Sequence, residues 1–150
     1  MELREKIRKV LENHNLMHIA TVDENGHPHV RGVDYAIGEK DDEIYFITHK
    51  MTRKVGQIKN NEKIAFVVDH DCPEWEDLQK LVYIKGIGTA QILETPEEIQ
   101  KAFGLILQKF PYLKNLPGEP SDFVGVKVVL NEVYVTDNTV SFGHTETYQF

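Results

Sequence analysis

The chain has 150 residues, 41% of them hydrophobic, and its 24 acidic side chains outnumber 17 basic ones for a net charge of minus 7. That length and composition suit a single domain over residues 1–150, with a core large enough to need neither disulfides nor metal. The acidic balance argues against a sequence-independent nucleic-acid binder, which needs a broad basic face to release counterions.

Cys72 is the sole cysteine, so an internal disulfide and a multi-cysteine metal site are both excluded. No stretch approaches the roughly 20 apolar residues of a membrane-spanning helix. The first residues, MELREKIRKVLENHN, read as neither a secretory signal nor an acid-poor transit peptide. A cytoplasmic protein without membrane association is the expectation.

Leu3, Ile7, Val10 and Leu11 recur at helical spacing, which predicts an amphipathic helix over 2–13. Two apolar, β-rich runs, 16–22 and 28–37, flank Asp23-Glu24-Asn25-Gly26-His27, where the Asn-Gly step marks a hairpin. A strand over 43–48, a short helix over 52–60 and a strand over 63–69 come next. Residues 70–79 read as a loop or short helical turn, with Trp75 as its hydrophobic plug and Cys72 packed as a small hydrophobe. Residues 81–93 are long enough for a bent strand, with Gly86 and Gly88 at a barrel corner. Thr95-Pro96-Glu97-Glu98 is a capping box that starts a helix. Its buried stripe is Ile99, Ala102, Phe103, Ile106, Leu107 and Phe110. Residues 123–136 and 139–148 form a last hairpin around Asp137-Asn138. The class is mainly β with helices (α+β): six to seven antiparallel strands, three helices, and a barrel as the favoured closure.

Two places carry chemistry. The helix after the 43–48 strand begins with Thr52, Arg53 and Lys54, although cations are disfavoured at a helix start. Either this is a solvated basic first turn, or the free backbone N–H groups, a Thr52 N-cap and the two cations meet a phosphate. Arg31 is the second place. Strand alternation sets it on the face of Val33, Tyr35 and Ile37, with Asp34 on the other face. A buried arginine requires either a carboxylate, in this chain or a second subunit, or a bound phosphate. Gly32 beside it would let a flat ligand lie against the backbone. His27 with His29, and His70 with Cys72, are only fragments of metal sites, so no metal is expected.

The order of these motifs resembles the pyridoxamine 5'-phosphate oxidase-like family of FMN-binding split β-barrels. ATVDENGHPHVRGV looks like the family's first hairpin, and IYFITHKMTRKVGQIKNNEKIAFVV like its strand, phosphate-binding turn, helix and next strand. LVYIKGIGTAQIL is similar to the strand that follows. The resemblance implies a homodimer with FMN at the subunit interface. It also implies that Arg31, Thr52, Arg53 and Lys54 hold the phosphate, while Gly32, Val33, Asp34, Ile47 and Thr48 contact the ribityl chain and isoalloxazine. The ending SFGHTETYQF is a looser likeness, and His144 reads as a surface residue of a terminal strand.

The chain departs from the oxidases themselves. Ala36 stands where they carry a lysine, Leu81 where they carry a glutamine, and no arginine follows Arg53, which removes their C-terminal Arg-x-His element. The expected function is therefore FMN-dependent oxidation or reduction of an unidentified small molecule, with no catalytic side chain assigned. The alternatives are an F420-dependent reductase of the same fold and a non-enzymatic flavin- or haem-binding protein.

Overall fold

The turn after the first strand is set by Asp23, whose Oδ1 accepts the Asn25 and His27 N–H groups at 2.9 Å each. Gly26 takes the positive φ, +83°, that the turn requires. The flanking strands then pair from Leu16 opposite Asp34 to Val22 opposite Pro28. His29 is part of this turn, with Nε2 2.9 Å from Asp23 Oδ2.

The computed structural model describes residues 1–150. Its strands are β1 (Leu16–Val22), β2 (Pro28–Asp34), β3 (Ala36–Ile37), β4 (Glu43–His49), β5 (Lys63–Val68), β6 (Val82–Ile92), β7 (Phe123–Asp137) and β8 (Thr145–Gln149). The helices are α1 (Leu3–Asn13), α2 (Arg53–Asn60), α3 (Trp75–Gln79) and α4 (Pro96–Lys109). All paired strands are antiparallel, in the order β2-β1-β5-β6-β7-β4-β3, with β8 beside β7. The α+β split barrel is thus realised with one strand and one short helix beyond the expected numbers.

The extra strand arises because the expected run 28–37 breaks at Tyr35. Its ring is fully buried, its hydroxyl donates to Leu11 O at 2.7 Å and its N–H to Asn15 O at 3.2 Å. β2 and β3 flank this one residue yet lie at opposite ends of the strand order. The sheet must therefore curl until its two ends are neighbours, joined by the chain at Tyr35 and not by a ladder. Lys109, at the end of α4, strengthens the joint: its Nζ donates to Tyr35 O and His14 O, both at 2.9 Å, and sits 4.1 Å from the Tyr35 ring centre.

The main core fills the barrel with Ile7, Val10 and Leu11 of α1 against Met17, Ile19, Phe46, Ile84 and Leu130, among others. Thr95 caps α4 as expected, accepting Glu98 N–H at 3.3 Å and donating to the Glu98 carboxylate at 2.8 Å. α4 buries Ala102 and Ile106, and Phe110 is buried just past its end, whereas Leu107, expected in the same stripe, is exposed. The final hairpin differs too: residues 138–144 form a loop and β8 is only Thr145–Gln149. Asp137 Oδ1 accepts Thr139 N–H and Asn138 Oδ1 accepts Gly143 N–H, at 2.9 and 2.8 Å, so the side chains wrap a wider loop than a two-residue turn.

Gly86 and Gly88 stand at the bend, as the sequence suggests. A Cβ at Gly86 would lie 2.0 Å from Glu132 O, and one at Gly88 2.3 Å from Val129 O. Between them the β6–β7 register shifts, from Ile87 opposite Glu132 to Gly88 opposite Leu130. Gly86→Ala is expected to destabilise the fold by about 3 kcal/mol or more, measured from the denaturant midpoint, because backbone must give way. A cost below about 1 kcal/mol would show that the two strands are not so tightly apposed.

Candidate functional site

The joint between the sheet's ends opens into a groove of about 250 Å³. β2 supplies Gly32, Val33 and Asp34, β4 supplies Ile47 and Thr48, and α2 supplies Lys54. Leu113, Leu116 and Phe123 close the apolar side. A second cavity of about 270 Å³ shares Ile47, Leu113, Leu116 and Phe123 and runs on toward Phe103 and Leu107. The space therefore has a polar, cationic end and a longer apolar end.

Lys54 is the cation that lines the polar end, and Arg31, set behind that lining, is its charged neighbour. Lys54 folds back from the first turn of α2 so that Nζ donates to the buried Thr48 hydroxyl at 2.8 Å. Arg31 comes from β2. Its Nη1 donates to Thr21 Oγ1 at 2.8 Å and to Ile19 O at 3.3 Å, and its Nη2 to Gln57 Oε1 at 3.0 Å. Thr21 in turn donates to Gln57 Oε1 at 2.6 Å, which fixes the acceptors around the guanidinium. Strand pairing explains the arrangement: Arg31 faces Ile19 in the β1–β2 register, and Thr21 is the next inward position along β1.

Every one of these acceptors is neutral. Neither Arg31 nor Lys54 forms an ion pair, although the protein is acidic and the two side chains are half-buried. Burial lowers the pKa of Arg31, and burial followed by repulsion from Arg31 lowers that of Lys54. Two neighbouring cations without a counter-charge form a site that an anion would complete. No carboxylate pairs with Arg31 within this chain; Asp34, exposed and without an ion pair, is the one acid lining the groove.

The remaining residues assigned to the site divide. Val33, Asp34, Ile47 and Thr48 line the groove. Thr52 occupies the position before α2, but its side chain caps nothing; its hydroxyl lies 3.4 Å from that of Thr48. Arg53 is exposed and makes no side-chain hydrogen bond or ion pair, so it is not gathered with Arg31 and Lys54. The helical turn that brings Lys54 inward carries its neighbour outward. Gly32 lines the groove, but a Cβ there would press on the Leu16 side chain at 3.0 Å, so packing already accounts for the glycine. Trp75 is not a plug: it is 61% exposed and stacks on Phe142 with ring centres 5.7 Å apart. His144 pairs with Glu146 outside the groove, and no cluster of potential metal ligands exists. Gln57 and Thr21, which hold the guanidinium, carry no charge that would mark them in the sequence. The signal was available in Gln57, one turn after Arg53 and Lys54 on the same short helix.

A curled antiparallel sheet with its polar groove at the seam defines a split β-barrel. The chain belongs to the pyridoxamine 5'-phosphate oxidase family, whose model, "Pyridoxamine 5'-phosphate oxidase", matches residues 3–137. It is 28% identical over 127 residues to General stress protein 26 of Bacillus subtilis (strain 168), covering 81% of this chain and 86% of that one. It is also 34% identical over 79 residues to a pyridoxine/pyridoxamine 5'-phosphate oxidase of Bradyrhizobium sp. (strain BTAi1 / ATCC BAA-1182). That match spans 53% of this chain and only 34% of the oxidase. Among solved structures, a heme binding protein from Mycobacterium smegmatis superposes with a TM-score of 0.81 at 16% identity, covering 99% of this chain and 58% of that one. That likeness is one of fold.

The unpaired cation has a consequence for stability. The folded-state pKa of Lys54 lies below its unfolded value, so folding disfavours the charged form. Ligand-free stability should therefore rise as pH increases through the folded pKa toward the unfolded one. Lys54→Met removes this burden and should raise the melting temperature of the ligand-free protein at neutral pH by about 2–4 °C. A lowered melting temperature would mean that the Thr48 hydrogen bond outweighs the unpaired charge.

Proposed function

We infer that the groove binds FMN, with its phosphate between Arg31 and Lys54. The observation that carries this reading is the pair of half-buried cations held only by neutral acceptors. A phosphate dianion would compensate both charges through charge-assisted hydrogen bonds to Arg31 Nη and Lys54 Nζ. The apolar side, Leu113, Leu116 and Phe123, suits a flat ring system kept from water. Thr48 and the backbone of Gly32 to Asp34 would orient the polar chain between the two. The groove offers no paired carboxylates and no histidine, so the residues' task is to bind, orient and exclude water. When bound, FMN supplies the electron or hydride transfer.

Within this reading the protein is a soluble flavoprotein oxidoreductase acting on a small molecule, and a homodimer whose second copy covers the open side of the groove. A second reading is a non-enzymatic flavin or haem holder, which the fold likeness to the mycobacterial heme binding protein and the lack of acid–base pairs favour. Haem is the weaker ligand, because the groove's lining contains no histidine, methionine, cysteine or tyrosine to bind iron axially. His49 packs edge-on against Phe123, yet its Nδ1 accepts the Met51 N–H.

The test compares FMN with riboflavin, which lacks the phosphate. Arg31→Met and Lys54→Met should each weaken FMN by roughly 10–100-fold and riboflavin by less than about threefold. Arg53→Ala should cost FMN less than either. Equal losses for both ligands would remove the phosphate from this pair of cations. With FMN bound, reduction by NAD(P)H and reoxidation by oxygen or a small acceptor would support the enzyme; stoichiometric FMN without turnover would support the holder.

A further inference from the structure

A cavity of about 710 Å³ shares no residue with the Lys54 groove. It lies between α1, the segment after β5, the start of β6 and the β7–β8 loop. Val10, Val82 and Val140 provide apolar wall, and the charged lining is almost entirely basic: Lys6, Lys9 and Lys80 against the single acid Asp137. Asp137 is already spent. It pairs with Lys6 at 2.7 Å, the two side chains being 17% and 7% exposed in the order Lys6, Asp137, and it also accepts the Thr139 N–H.

Lys9 and Lys80 stand exposed at the cavity's edge without an ion-pair partner. Neither forms an ion pair or side-chain hydrogen bond, although Glu5 and Glu12 stand within a turn of Lys9 on α1. The remaining polar wall is a histidine pair. His14 Nδ1 lies 2.7 Å from Val10 O, and because a carbonyl only accepts, that nitrogen carries the proton. In the neutral pair, His14 Nε2 then accepts from His70 Nδ1, 2.7 Å away. His70 Nε2 is left with no protein partner, in a ring that also lines the cavity. A concave apolar wall, two unpaired cations and one uncommitted imidazole nitrogen converge, in a volume that suits a small organic ligand.

We propose that this cavity is a second ligand site, taking a small monocarboxylate with an apolar body, its carboxylate between Lys9 and Lys80 and its body against Val10, Val82 and Val140. It does not depend on the flavin reading. A phosphate alone would leave the valine wall uncovered, and an uncharged aromatic would make no use of the two lysines.

Isothermal titration of the full-length protein with 2-naphthoate tests this, with naphthalen-2-ylmethanol and inorganic phosphate as the apolar and anionic halves of the probe. Saturable binding at one site is expected, weakened about tenfold by Lys9→Gln with Lys80→Gln. Val140→Glu, at an exposed wall position, should abolish it, and Lys54→Ala should leave it unchanged. The naphthoate should bind more tightly than either half. Absence of saturable binding, equal affinity for the alcohol or for phosphate, or indifference to the double lysine substitution would each overturn the proposal. Loss in Lys54→Ala would do so too, by placing the naphthoate in the Lys54 groove.

Discussion

Lys54 lines one end of the groove with Arg31 as its charged neighbour, neither is held by an ion pair, and the rest of the site is arranged around that imbalance. An acidic protein has ample means to neutralise two half-buried cations. Here the neighbouring side chains are instead Thr21, Gln57 and Thr48, which orient the donors and leave the charge uncompensated. Neutral acceptors at these positions sacrifice some stability of the empty protein and preserve the field that an anion would meet. A glutamate in place of Gln57 would make a more conventional ion pair and leave less positive field for an anion.

The topology explains why this imbalance occurs at a seam. β2 and β3 are separated by Tyr35 alone but belong to opposite ends of the sheet, so the barrel is closed by the chain and remains split between its ladders. Where β2 passes β4, backbone and side chains from both ends of the sheet face one groove. α2, launched directly from β4, sets Lys54 over the same opening. Tyr35 and Lys109 therefore serve the site at a distance by fixing how the two ends meet.

Much of this was legible in the sequence where charge conflicted with local pattern. Arg31 in an apolar strand and Lys54 at a helix start both violated their surroundings, and the fold makes them neighbours. Arg53 made the same violation yet is exposed, because sequence adjacency says nothing about which way one turn of helix carries a side chain. Thr21 and Gln57 violated nothing, so neutral residues that hold an arginine could not be distinguished from ordinary strand and helix positions. The strand break at Tyr35 was hidden because β-rich alternation continues straight through it. Trp75 shows the reverse failure: its size suggested burial, but its α3 position faces outward and its ring rests on Phe142.

The most direct measurement is the visible absorption of the purified protein, followed by identification of the chromophore released on denaturation. The account predicts a flavin spectrum, acquired in the cell or on reconstitution, and FMN as the released species in one equivalent per chain. A Soret band, a deazaflavin spectrum, or a colourless protein that does not take up FMN would contradict it. The last of these would return Arg31 and Lys54 to a purely structural role.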